Sequence, residues 1–140
     1  MNTFGAASRK QLVSADTRLH RIAYAVLATK DHSIIKAHRS ERDQGIAFAA
    51  GHTKLEWPHG KHNELPSKAL DVRTYPVPEA DTEYKAERML REEQLYLLGL
   101  YVGVAAQMGI TLRTGADWDR DGEIADNGFD DFFHVEIVGA

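Results

Sequence analysis

The chain has 140 residues, 43 % apolar and 27 % charged, the composition of one globular domain; global disorder is excluded. Cysteine is absent, which excludes a disulfide framework, a zinc–thiolate site and a cysteine nucleophile, so any zinc must be held by His, Asp or Glu. A net charge of −4 argues against a uniformly basic nucleic-acid binder, and no apolar run approaches the ~20 residues that span a bilayer.

The charge is unevenly spread. Residues 1–62 carry ten Lys/Arg against five Asp/Glu, and residues 63–140 carry seven against sixteen. A basic wall opposite a carboxylate-rich site would suit a ligand with anionic groups together with a metal. The same asymmetry is also what drift along a solvated surface produces. Met1 to Lys10 has no basic stretch leading into an apolar one, so a secretory signal is not expected and the cytoplasm of the producing cell is the expected compartment.

In chain order, Leu12, Ala15, Leu19, Ile22 and Val26 recur at spacings of three and four, which predicts an amphipathic helix over about residues 9–29. Ser14 or Asp16 could cap a second segment within it. Ser33 to Ala37 reads as a short strand. A second helical stretch lies between His38 and Gly51, with Gly51 as its C-cap. His52 to Ser67, with Pro58, Gly60 and Pro66, reads as a long loop, and such loops inside a compact domain are functional or disordered.

Ala69 to Val72 reads as a strand and Tyr75 to Ala80 as a connector. Glu83 to Met108 is helical, and its second half from Leu95 is apolar nearly all round, the pattern of a buried helix ended by Gly109. Ile110 to Arg113 reads as a strand, Thr114 to Phe133 as an acidic loop, and His134 to Val138 as the last strand. The order predicts an α+β fold, helices packed on a small antiparallel sheet, in a single domain over residues 1–140. No repeat, low-complexity tract or linker interrupts it, and a monomer is expected.

Three groups of residues could carry chemistry. The first joins His62 and Asp71 to His134. A catalytic zinc takes three N/O ligands and keeps a fourth position open, and these residues would supply such a set. Asp131, three residues before His134, could then stand beside the open position as general base. Taken singly, His62 also reads as a solvated loop histidine and His134 as a half-buried strand histidine. Asp71 is different: between Leu70 and Val72, a carboxylate is costly unless paired or metal-bound.

The second group is Asp117, Asp119 and Asp121 followed by Gly122, the first half of a calcium loop. Position 12 is Gly128 in place of the bidentate glutamate, and Asp126 at position 10 could substitute. An acidic turn held by its own Asx hydrogen bonds reads equally from these residues. The third group is His38-Arg39-Ser40 with Gln44. There Arg39 could bind a carboxylate or polarise a carbonyl, or simply form a surface ion pair.

In this order the pieces resemble the zinc metallopeptidases that cut bacterial cell-wall stem peptides. These include D-alanyl-D-alanine carboxypeptidases and the phage L-alanyl-D-glutamate endopeptidases. The resemblance rests on Arg39-Ser40 with Gln44, and on Gly51-His52-Thr53-Lys54. It rests further on His62, Asn63, Pro66, Ser67, Ala69 and Asp71, on Leu112 to Trp118, and on Asp131 to Glu136. It spans about residues 8–138 and is closest to the small phage endolysins.

The resemblance implies that His62, Asp71 and His134 bind zinc, that Asp131 is the general acid/base, and that Arg39 contacts a substrate carbonyl or carboxylate. In some phage members calcium occupies the loop that falls here on Asp117 to Asp126. The implied substrate is the peptidoglycan stem peptide, reached from the cytoplasm through a separate membrane lesion, with no nucleic acid and no stable membrane association. A D,D-carboxypeptidase and a non-catalytic metal-binding module are the alternatives. Phe133, Arg73-Thr74 and Trp57-Pro58-His59 depart from the family's pattern and bear on substrate preference. His59 could compete with the favoured His62 as ligand. Glu136, two residues on from His134 and on the same strand face, is expected to act behind the metal ligands.

Overall fold

Asp16 divides the first apolar stretch into two helices. In the computed structural model, which describes residues 1–124 and 130–139, helix α1 (Ala6–Val13) stops at Ser14 and helix α2 (Thr17–Leu27) starts after Asp16. The Asp16 carboxylate accepts the Arg18 amide at 2.9 Å, satisfying one of the helix's unpaired N–H groups. It also pairs with the Arg18 guanidinium and with Lys68 Nζ, each at 2.9 Å. Beyond the cap, Leu19, Ile22, Ala23 and Val26 form a fully buried face.

The remaining elements are β1 (His32–Lys36), α3 (Glu41–Ala49), a 3-10 turn (Lys61–Asn63), β2 (Ala69–Thr74), α4 (Glu83–Gln107), β3 (Leu112–Gly115) and β4 (Asp131–Ile137). The four strands form one antiparallel sheet in the order β1-β2-β4-β3, with α2 and α4 in the core it covers, so the α+β expectation holds. No helix among the described residues is long and apolar enough to cross a membrane.

Three expectations need correction. The second half of α4 is not buried all round: Leu97, Leu98, Tyr101 and Ala105 face the core, but Tyr96 and Val102 are 56 % and 39 % exposed. The sheet and α2 can cover only one side of this helix, and a small domain leaves much apolar surface in water. The last strand begins at Asp131, not His134, because Gly115 pairs with Asp131 and extends the β3–β4 ladder. The third strand is correspondingly Leu112–Gly115, with Ile110 before it.

Strand register decides which side chains share a face. Leu70 pairs with Val135 and Leu112 with Ile137, and all four are buried in the core. One residue along, Asp71 pairs with His134 and Arg113 with Glu136, so these four polar side chains share the opposite face. The start of β2 is anchored to the α1–α2 elbow. The Asp16 amide donates to the Ser67 carbonyl at 2.9 Å, and the Ser67 amide to the Ser14 carbonyl at 2.8 Å.

Asp16 therefore ties the elbow to the strand that carries Asp71. Its hydrogen bonds from Arg18, opposed by burial and reinforced by Lys68, hold its carboxyl well below the usual carboxylate range. A depressed folded-state pKa contributes stability above the unfolded value of ~3.9, and that contribution is lost as pH falls below it. Asp16→Ala should cost about 1–2 kcal/mol of unfolding free energy at pH 7. Denaturant titrations should show the gap between wild type and variant closing as pH falls below about 4.

Candidate metal centre

Three side chains from distant parts of the chain converge on the polar face of the sheet. His62 comes from the 3-10 turn, Asp71 from the middle of β2 and His134 from β4. The turn is placed by Asn63, whose Oδ1 accepts the Gly60 amide at 2.9 Å and whose side-chain amide donates to the Arg39 carbonyl and Gln44 Oε1. His62 Nε2 lies 3.1 Å from Asp71 Oδ1 and 3.2 Å from His134 Nδ1, and His134 Nδ1 lies 3.4 Å from Asp71 Oδ1.

The outer nitrogens of both imidazoles are already committed. His62 Nδ1 donates to the Ala37 carbonyl at 2.6 Å, and His134 Nε2 donates to Glu136 Oε1 at 2.8 Å. Those bonds turn the His62 Nε2 and His134 Nδ1 lone pairs inward, toward each other and toward a carboxylate oxygen. Histidine ligands of metals are oriented in this way by carbonyl and carboxylate partners. Ligands held at ~2.0–2.1 Å in a tetrahedron stand about 3.3–3.4 Å apart. The observed triangle has that size, and its donor set is two nitrogens and one carboxylate oxygen, so the residues fit an ion of zinc's size and preference.

The electrostatics agree. Burial works against a charged His134, but hydrogen bonds to Asp71 and Glu136 outweigh it and push its pKa up to about 9. Burial likewise opposes ionisation of Asp71, yet its interactions with His62 and His134 hold its carboxyl well below the usual range. Both directions favour positive charge among the three donor atoms. A metal bound there would displace a proton, as ligand deprotonation requires.

The supporting residues are charged and paired. Arg39 donates to Asp71 Oδ2 at 3.1 Å and to Gln44 Oε1 at 3.1 Å, leaving Asp71 Oδ1 for the centre. Arg113 donates to Glu136 Oε2 at 2.8 Å. The Trp118 ring packs 5.3 Å from His134 and beneath the Arg113 guanidinium. Glu136 is therefore where it was expected, behind His134. The Arg113–Glu136 link and the Trp118 contact were not anticipated. Only the β3–β4 register, which sets Arg113 opposite Glu136, could have revealed the former.

Asp131 reaches the same cavity through an irregularity. It is three residues from His134, and strict alternation would put it on the other face. Between Thr114 and Gly115 the register jumps from Val135 to Asp131, and Asp131 lines the cavity with His134 and Glu136. Gly115 makes this possible, since a Cβ there would stand 2.0 Å from the Asp131 carbonyl oxygen. Asp131 Oδ1 accepts the Phe133 amide at 3.0 Å. Burial, and then the negative charge of Asp71, raise its pKa.

The cavity has a volume of about 390 Å³. Its lining includes Lys54, His59 and Lys61 from the long loop together with Asp131 and Glu136 from β4. His59 lines the mouth and does not join the His62, Asp71 and His134 group. Asp117, Asp119 and Asp121 do bring carboxylate oxygens within 4.8 Å of one another. Their oxygens already accept backbone amides: Asp121 and Gly122 donate to Asp117, and Glu123 donates to Asp121. Asp126 lies outside the described residues.

A family model described as phage L-alanyl-D-glutamate peptidase matches residues 1–138. A solved structure, the Serratia marcescens L-Ala D-Glu endopeptidase ChiX, shares the fold with a TM-score of 0.65 at 18 % identity, covering 97 % of this chain and 90 % of that one. No curated protein matches the chain.

The geometry makes Glu136 the group that orients His134. Glu136→Ala should weaken the affinity of the His62, Asp71 and His134 group for a divalent metal by roughly 10–100-fold, read by competition with a chromogenic chelator. An unchanged affinity would mean that His134 is held by its packing against Trp118 instead.

Proposed function

The chain belongs to the phage L-alanyl-D-glutamate peptidase family, and from that premise we propose that it is a zinc-dependent hydrolase of the bond between L-alanine and D-glutamate in peptidoglycan stem peptides. The observation that carries the reading is the triangle of inward-facing donor atoms from His62, Asp71 and His134 beside a carboxylate of raised pKa. In this reading those three residues hold the zinc within one catalytic domain. Zinc, when bound, polarises a carbonyl and acidifies water.

The protein's own residues do the rest. Asp131 Oδ1 is engaged by the Phe133 amide, which leaves Oδ2 to accept the proton of the attacking water. Asp131 then passes that proton to the amine of the departing D-glutamate. Arg39 fixes Asp71 through Oδ2 and lines the cavity, where its remaining N–H groups stabilise charge developing on the scissile carbonyl oxygen. The Trp118 ring covers one side of His134 and keeps bulk water from it.

Two measurements test this reading. Digestion of purified peptidoglycan by the zinc-loaded protein should expose new D-glutamate amino termini. Release of free D-alanine in their place would identify a D,D-carboxypeptidase. Asp131→Asn should keep its zinc and its fold yet lose about 10²–10⁴-fold in turnover, because an amide cannot take the proton. Near-normal turnover in that variant would assign the proton transfer to another group.

A further inference from the structure

Among the cations that line the cavity, Lys61 has no role in the mechanism. Lys61 lines the cavity and is half-buried, directly before His62 in the 3-10 turn. Its backbone is fixed, since the Lys68 amide donates to the Lys61 carbonyl at 3.1 Å. The cavity's guanidiniums are both answered: Arg39 by Asp71 at 3.1 Å and Arg113 by Glu136 at 2.8 Å. The Lys61 ammonium, by contrast, makes no hydrogen bond or ion pair among the described residues. An ammonium at the cavity that no carboxylate among the described residues neutralises is a ready partner for an anion entering there.

The substrate class supplies such an anion. A glutamate acylated on its amine has two carboxyl groups. The stem continues through one of them, and the other stays free and ionised at neutral pH, a few bonds from the scissile amide. We infer that Lys61 is a specificity-determining residue, and that its ammonium binds the free carboxylate of the D-glutamate on the leaving side of the cut bond. This rests on the proposed function and deepens it. It places the carboxylate of the leaving residue at Lys61 while the scissile carbonyl faces His62, His134 and Asp131. A charge-assisted contact of this kind separates a carboxylate from a neutral carboxamide of the same shape by roughly 10–100-fold.

The test pairs two soluble stem peptides, identical except that the free glutamate carboxyl is ionised in one and a carboxamide in the other. Zinc-loaded wild type should cleave the carboxylate peptide with a kcat/KM roughly 10–100-fold above that for the carboxamide. In Lys61→Met the ratio should collapse toward one, and Lys61→Arg should restore most of it. Equilibrium binding of both peptides to the Asp131→Asn protein should show the same preference, independent of turnover. Equal cleavage of both peptides by wild type, or a preference that survives in Lys61→Met, overturns the role of Lys61 alone. Cleavage of neither peptide by the zinc-loaded protein overturns the proposed function, and the subsite with it.

Discussion

Two hydrogen bonds on the outer sides of two imidazoles set the terms for the rest of the molecule. The Ala37 carbonyl takes the His62 Nδ1 proton and Glu136 takes the His134 Nε2 proton. With those protons committed, the inner nitrogens face each other at 3.2 Å beside an Asp71 oxygen. Three electron-rich atoms that close repel unless positive charge lies among them. The centre meets that need with a proton on His134 or with a metal ion. Either way, each surrounding group must hold its ligand in place against repulsion.

The scaffold does this by register and by anchoring. The β2–β4 pairing sets Asp71 against His134, and the β3–β4 pairing sets Arg113 against Glu136. The 3-10 turn that carries His62 is stitched to Arg39 and Gln44 through Asn63. The elbow at Asp16 fixes the entry to β2 through Ser67 and Lys68. Buried carboxylates are costly singly, and the two that touch the imidazoles have cationic partners: Arg39 for Asp71 and Arg113 for Glu136. A single glycine, Gly115, allows β3 to approach Asp131 closely enough to bring its carboxylate to the cavity.

Much of this centre was legible in the sequence because it breaks local rules. Asp71 interrupts an apolar strand, which demands a partner, and His62 and His134 supply the nitrogen donors of a group that could hold a metal ion. The α1–α2 break was readable from Ser14 and Asp16 as alternative caps, and Asp16 is the one that caps α2. What could not be read depends on contacts between strands remote in sequence. The Arg113–Glu136 link needs the β3–β4 register, and the placement of Asp131 needs the register jump at Gly115. The exposed side of α4 was misread because apolar composition says which residues can be buried, not how many neighbours exist to bury them. Alternating carboxylates in the Asp117 turn read the same whether they face an ion or their own backbone amides. Here each accepts an amide.

The central claim is that His62, Asp71 and His134 together form one metal centre. Anomalous diffraction from crystals of the zinc-loaded protein, measured on both sides of the zinc absorption edge, tests it most directly. The account predicts a single strong peak within bonding distance of His62 Nε2, Asp71 Oδ1 and His134 Nδ1. A peak at His59 or in the Asp117 turn, with none between the two inner imidazole nitrogens, would contradict it.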